Sequence, residues 1–242
     1  MQTNLFENIF DDLSKNITPP LDMHVHTNWT DGKNSVSEIF KAADKINLSH
    51  IFFSEHSRQE SGDWFLDFKK EVTDNNKKNK CIGIVGTEVK VLNYNGDLDL
   101  SKLILKNSEL VMASVHRFPG EKGNILNNTK NYDKDEVIKI EYNLSMAALE
   151  NPQTNILGHP FGMSLKRFKI IPPIKLFEQL IKKSAIEKKA FEINISYHPN
   201  IVELIQICLK NNCLISIGSN AHTDKEVGKI NLFLKKEYEK KN

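Results

Sequence analysis

Leu21-Asp22-Met23-His24-Val25-His26-Thr27 is the stretch whose reading decides the fold. Read as a strand, it turns both imidazoles to one side, close enough to chelate one metal ion. Six further runs read as strands: His50–Ser54, Cys81–Val91, Leu110–His116, Asn155–His159, Ala190–Ile195 and Leu214–Ser219. Most are rich in Ile, Val and Phe without clean alternation, the pattern of strands buried on both faces.

Between the strands, apolar residues recur three or four apart. Val36, Ile39, Phe40, Ala43 and Ile46 form one helical face, and Ser35 with Glu38 makes a capping box at its start. Trp64–Val72, Val137–Leu149, Ile174–Ile186, Ile201–Leu209 and Ile230–Tyr238 read as further helices. The Lys- and Asn-rich stretches Asp74–Lys80 and Glu121–Lys134 read as solvated loops. Strand and helix alternating about seven times implies a parallel sheet covered by helices, either open or closed.

The histidines decide between the two. His24, His26, His116, His159 and His222 lie within or just past the C-terminal ends of predicted strands, and His56 follows its strand by two residues. A barrel gathers those ends into one ring, whereas an open sheet spreads them along a line. The α/β reading is therefore a barrel, expected as a single domain over residues 1–242 with its motif-bearing core at about 20–225.

Composition narrows the function. The 33 basic and 31 acidic residues leave a net charge of +2, which excludes a nucleic-acid binder held by bulk charge. At 39% hydrophobic the chain is ordinary for a globular protein rather than a disordered one. No apolar run is long enough to span a membrane, and the N-terminus lacks a secretory pattern, so a cytoplasmic protein is expected. Cys81, Cys208 and Cys213 are too scattered for a disulfide framework or a zinc knuckle.

Individually, each candidate residue has a plainer reading. Asp31 before Gly32 is ordinary turn chemistry. Glu88 inside an apolar strand needs a partner, either a metal ion or a Lys or Arg. His116, His159 and His222 each suit a satisfied core or surface histidine. Taken together, the plainer readings require the same accident on many strands.

These residues also resemble the polymerase and histidinol phosphatase (PHP) family. Asp22-Met-His24-Val-His26-Thr27 with Asp31-Gly32 is similar to its first motif. Ser54-Glu55-His56, Gly86-Thr87-Glu88 and Ser114-Val115-His116 resemble the next three, and Gly158-His159-Pro160 and Gly218-Ser219-Asn220-Ala221-His222 the later ones. The resemblance implies a distorted (β/α)7 TIM-like barrel with two or three divalent ions, zinc, manganese or iron, at the strand ends. By position, His24 and His26 would bind one ion with Glu88. Glu88 would bridge to a second ion held by His116 and His159, and Asp31, His56 and His222 would hold a third. The family's last motif usually reads Gly-Ser-Asp-Ala-His. Asn220 replaces the acid with a neutral, weaker ligand, which puts the third ion in doubt.

Clustered divalent ions suit phosphoester hydrolysis, with a metal-bound hydroxide as the expected nucleophile. Of the 33 basic residues only Arg58, Arg117 and Arg167 are Arg, and each follows a candidate ligand closely. Their planar forks suit phosphate, so they are candidate substrate contacts. Glu88 and Arg117 are the candidate catalytic pair. Glu192, an acid inside an apolar strand, is expected to orient a ligand or to contact substrate, and His198 is a weaker substrate candidate. His50, at the opposite end of its strand, reads as structural.

The favoured activity is phosphate monoester hydrolysis on a small phosphorylated metabolite, histidinol-phosphatase-like, with neither nucleic acid nor membrane as partner. The alternatives are a phosphodiesterase or exonuclease of the same family, and a non-catalytic metal-binding member weakened at Asn220.

Overall fold

The computed structural model describes residues 2–121 and 132–240. Its strands are β1 (Leu21–Val25), β2 (His50–Ser57), β3 (Ile82–Lys90), β4 (Leu110–Ser114), β5 (Ile156–Gly158), β6 (Ala190–Asn194) and β7 (Ile215–Gly218). They form one sheet in the order β1 to β7, each parallel to the next. A parallel bridge between Val25 and Ala221 joins the two edges at their C-terminal ends. There the His26 N–H donates to Ala221 O at 2.8 Å, and the Ala221 N–H to His24 O at 3.1 Å. The sheet is thus a nearly closed, distorted (β/α)7 barrel.

Asp22 fastens that seam. Its Oδ1 accepts the Ser219 N–H and its Oδ2 the Gly228 N–H, both at 2.8 Å, and the side chain is fully buried. Burial pushes its pKa up, against the pull of those backbone donors.

The covering helices are α1 (Gln2–Ser14), α2 (Val36–Lys45), α3 (Trp64–Asn76), α4 (Lys102–Asn107), α5 (Lys134–Glu150), α6 (Ile174–Ile186), α7 (Ile201–Lys210) and α8 (Lys229–Glu239). The Ser35–Glu38 capping box forms in full at the start of α2. Every residue of β1, β4 and β6 is buried, as strands covered by helices on one side and lining the barrel on the other must be.

Several boundaries differ from expectation. β2 runs on to Ser57, paired with β3 throughout, so His56 lies inside its strand rather than beyond it. α3 continues through Asn76 into the stretch read as a loop, where Asp74 pairs with Lys70 at 2.6 Å and Lys77 at 2.9 Å. Of the expected loop Glu121–Lys134, residues 122–131 lie outside the described residues, and Lys134 already opens α5. α1 and α4 were not expected. α1 presents Phe6, Ile9 and Leu13 to the main core, and α4 begins with Ser101 accepting the Ile104 N–H. No helix among the described residues is long and apolar enough to cross a membrane.

Candidate metal centre

Register places Glu88 beside His56, because their Cα atoms are partners across β2 and β3. The Glu88 carboxylate then meets imidazoles from four strands and the turns that follow them. Its Oε1 lies 2.7 Å from His159 Nε2 and 3.1 Å from His116 Nε2. Its Oε2 lies 3.3 Å from His56 Nδ1, 3.4 Å from His24 Nε2 and 3.5 Å from His26 Nε2. The His24 and His26 Nε2 atoms are 3.0 Å apart, and those of His116 and His159 3.3 Å.

Asp31 gathers a second set. Its Oδ2 is 3.2 Å from His222 Nε2 and 3.4 Å from His56 Nε2, and its Oδ1 is 3.8 Å from His26 Nδ1. The structure therefore brings together all eight His, Asp and Glu side chains named as candidate ligands. By mutual proximity they also form the sets His26 with Asp31, His56 and His222; His24 with Glu88 and His159; and His56 with Glu88 and His116, beside the expected His24–His26–Glu88 and His116–His159–Glu88 sets, whose atoms are equally close.

The arrangement fits divalent cations. Ligand atoms bound about 2.1 Å from one ion sit roughly 3 to 4 Å apart, the spacing most of these pairs show. His26 Nδ1 is buried without a hydrogen-bond partner, aimed toward Asp31. Imidazole with carboxylate suits zinc, manganese or iron.

Residues behind the cluster fix its rings. Glu192 is fully buried on β6, and its Oε1 accepts the His24 Nδ1–H at 2.7 Å, leaving His24 Nε2 turned inward. The His222 Nδ1–H donates in the same way to Asn220 O at 3.0 Å. Burial alone would lower the His24 pKa, but Glu192 and Glu88 outweigh it and raise it well above the usual imidazole value. For His26, burial and the neighbouring His56 and His24 act together and lower it. Burial would raise Glu88, yet the His116 and His24 charges hold it well below the usual carboxylate range.

Glu55 supports the turn that carries Asp31. It is buried and accepts Thr27 N–H at 2.8 Å, Thr27 Oγ1–H at 2.7 Å and the Thr30 hydroxyl, while burial pushes its pKa up to about 7. After β5 the backbone is strained: His159 has φ 22° and Phe161 φ 63°, a region costly for a bulky residue. A π-helical turn, Met163–Arg167, follows. Glu141 of α5 caps it, accepting Met163 N–H at 2.8 Å, Ser164 N–H at 2.7 Å and Ser164 Oγ–H at 2.6 Å.

A cavity of about 520 Å³ opens over the cluster, with Lys166, Arg167, Tyr197 and Asn220 on its walls. Arg167 also pairs with Glu121 at 3.0 Å. Arg58 and Arg117 line an adjoining cleft. Glu192 offers nothing to a substrate, since His24, Asn194 and the His159 N–H, at 2.6 Å, take its oxygens. His198 is likewise buried, accepting the Asn194 N–H and donating to Pro160 O. His50 starts β2, at the far end from the cluster. Sequence reasoning missed Lys166 and Tyr197. The Tyr197 ring stacks on His159 with centroids 4.1 Å apart, a contact no local pattern announces.

The profile of the PHP domain family matches residues 22–198 of this chain, close to three-quarters of it. The chain belongs to the PHP domain family. This PHP-domain chain is 27% identical over 223 residues to a probable phosphatase of Clostridium novyi, covering 86% of this chain and 81% of that one. It is 23% identical over 202 residues to a probable phosphatase of Caldicellulosiruptor bescii, covering 82% and 78%. Its fold matches the crystal structure of histidinol phosphate phosphatase from Lactococcus lactis, complexed with zinc, L-histidinol and phosphate. That match has a TM-score of 0.68 at 18% identity, over 91% of this chain and 92% of that one. A putative histidinol phosphatase from Listeria monocytogenes also gives 0.68, at 13% identity over 86% and 97%.

Proposed function

We propose that this PHP-domain chain is a metal-dependent phosphatase that hydrolyses a phosphate monoester of a small metabolite, histidinol-phosphatase-like in its reaction. The observation that carries this reading is the convergence of six imidazoles on the Glu88 and Asp31 carboxylates beneath a cavity whose walls carry Lys166 and Arg167. His24, His26, Asp31, His56, Glu88, His116, His159 and His222 are the ligand set, and Asn220 lines the same cavity. Divalent ions in such a set supply an activated water and offset charge on the phosphoryl group. Glu192 keeps the His24 Nε2 lone pair toward the cluster, and Asn220 O does the same for His222. Lys166 with Arg167, and Arg58 with Arg117, draw the anionic ester toward it.

The names of the curated relatives support a phosphatase. Cavities of about 520 and 440 Å³ match small-molecule sites in size, which favours a metabolite over a nucleic acid strand. The test is phosphate release from a panel of phosphomonoesters and short oligonucleotides with manganese or zinc added. Turnover of monoesters, abolished in His116→Ala protein prepared identically, is the expected result. Silence across the panel from folded, metal-loaded protein would overturn the reading, and nucleotide release alone would replace it with the nuclease.

A further inference from the structure

The His–Glu cluster opens into two clefts. One passes Val115, Met163 and Tyr197 toward Lys166. The other, about 440 Å³, leaves the cluster between the Ser57–Ser61 segment at the end of β2 and Arg117 after β4. Asp31, His56, Glu88 and His116 line both, so a ligand with its phosphoryl group on the cluster can extend into either.

The charges of the second cleft are one-sided. Asp31 and Glu88 are engaged by the histidines. Asp99, its remaining acid, has both oxygens taken, one by Lys90 at 3.0 Å and the other by the Gln59 N–H at 2.9 Å. Every Asp and Glu of the chain falls among the described residues, because residues 122–131 contain neither. Among the residues that line the cleft, no carboxylate is left without a partner to receive an ammonium group.

The cations divide in the opposite way. Lys90 is held by Asp99, and Arg167 of the first cleft by Glu121. Among the described residues the Arg58 and Arg117 guanidiniums have neither an ion pair nor a side-chain hydrogen bond, yet both line the second cleft. Ser61 beside them accepts the Arg58 N–H at 3.2 Å and keeps its own hydroxyl proton to donate. Two uncommitted guanidiniums with a hydroxyl and no competing acid make a site for an anion.

We propose that this cleft binds a second anionic group of the substrate. The favoured substrates are then phosphoesters that carry a further phosphate or carboxylate, and those that carry an ammonium are disfavoured. The proposal rests on the phosphatase reading above and assigns Arg58 and Arg117 to specificity.

The test uses three non-hydrolysable probes in short and long versions: alkylphosphonates with a neutral, an ammonium and a carboxylate tail. Binding to the metal-loaded protein is measured by calorimetry. The carboxylate probe is expected to bind roughly tenfold more tightly than the neutral one, and the ammonium probe more weakly than either. In an Arg58→Ala/Arg117→Ala double variant that gap should close. Equal affinities in the wild type would overturn the proposal. So would a preference that survives in the variant, because the metal ions would then be reading the carboxylate. Equal weakening of all three probes in the variant would also overturn it, placing the arginines on the reacting phosphoryl group. Since no probe is hydrolysed, tail preference without phosphoester turnover would count against the phosphatase alone, and turnover without tail preference against the subsite alone.

Discussion

Glu192→Gln isolates the role of the buried acid behind the cluster. Three donors face this carboxylate: His24 Nδ1–H and Asn194 Nδ2–H on Oε1, both at 2.7 Å, and the His159 N–H on Oε2 at 2.6 Å. A glutamine has one acceptor oxygen, so its NH2 must oppose a donor whichever way it turns. If it opposes the His159 backbone, a buried N–H is orphaned. If it opposes His24, that ring must shift its proton to Nε2, which removes the lone pair turned toward Glu88 and His26. Either outcome costs about 1–3 kcal/mol. Second-sphere changes of this kind typically weaken metal binding about 10–100-fold. Glu192 is held ionised, because His24 outweighs the burial that would raise its pKa, so the exchange also removes a charge. The assay is calorimetric titration with manganese or zinc, beside a melting curve of metal-free protein. We expect the affinity loss together with a fall in melting temperature of a few degrees. Unchanged metal affinity in a folded variant would refute the assignment of Glu192 as the residue that orients His24.

Asn220→Asp is expected to strengthen metal binding, because it adds a carboxylate to the cavity wall that also carries Asp31 and His222. Asn220 sits at φ 51°, which Asp tolerates, so the backbone is little affected; unchanged affinity by calorimetry would show that position 220 touches no ion. Glu141→Gln tests a buried acid raised by desolvation to about 7 from 4.5. In that window the folded chain holds a proton that the unfolded chain has lost, so the Glu141 contribution is full below the unfolded pKa and is lost as pH rises through the folded one. Denaturant unfolding from about pH 4.5 to 7 should show the wild type losing roughly 3 kcal/mol relative to the variant, and parallel pH profiles would contradict it.

The barrel was legible because its signals are local. Strands buried on both faces read as runs of Ile, Val and Phe, and α2 is announced by Ser35 and Glu38 three residues apart. α1 was not legible as an element because its partner is remote: Phe6, Ile9 and Leu13 join a core that includes Ile215 and Ile217 of β7, some two hundred residues away. Asp74–Lys80 misled for a related reason. Its Lys and Asn composition suggests solvation, but Asn75 is buried at the end of α3 and the Asn76 side chain pairs with the Gly83 backbone, so the polar residues there serve a helix end rather than a loop.

The site divides along the same line. The candidate ligands at strand ends are legible because the barrel itself brings strand ends together, so position along a strand is enough to forecast neighbourhood. What a side chain faces once there depends on register and rotamer, which no single segment carries. Glu192 shows the difference: an acid in an apolar strand signals a buried partner, but only the neighbouring β5 turn and β1 decide that His159 and His24 take both oxygens. Glu55 and Glu141 are similar, buried acids whose partners are the turns that aim Asp31 and Lys166 rather than the cluster itself. Sequence pattern thus locates the groups that share one centre. Glu192 is legible as a candidate orienting acid, but which donors it, Glu55 and Glu141 hold comes into view only with the folded packing, and it is their substitution, more than that of the candidate ligands, that separates orientation from binding.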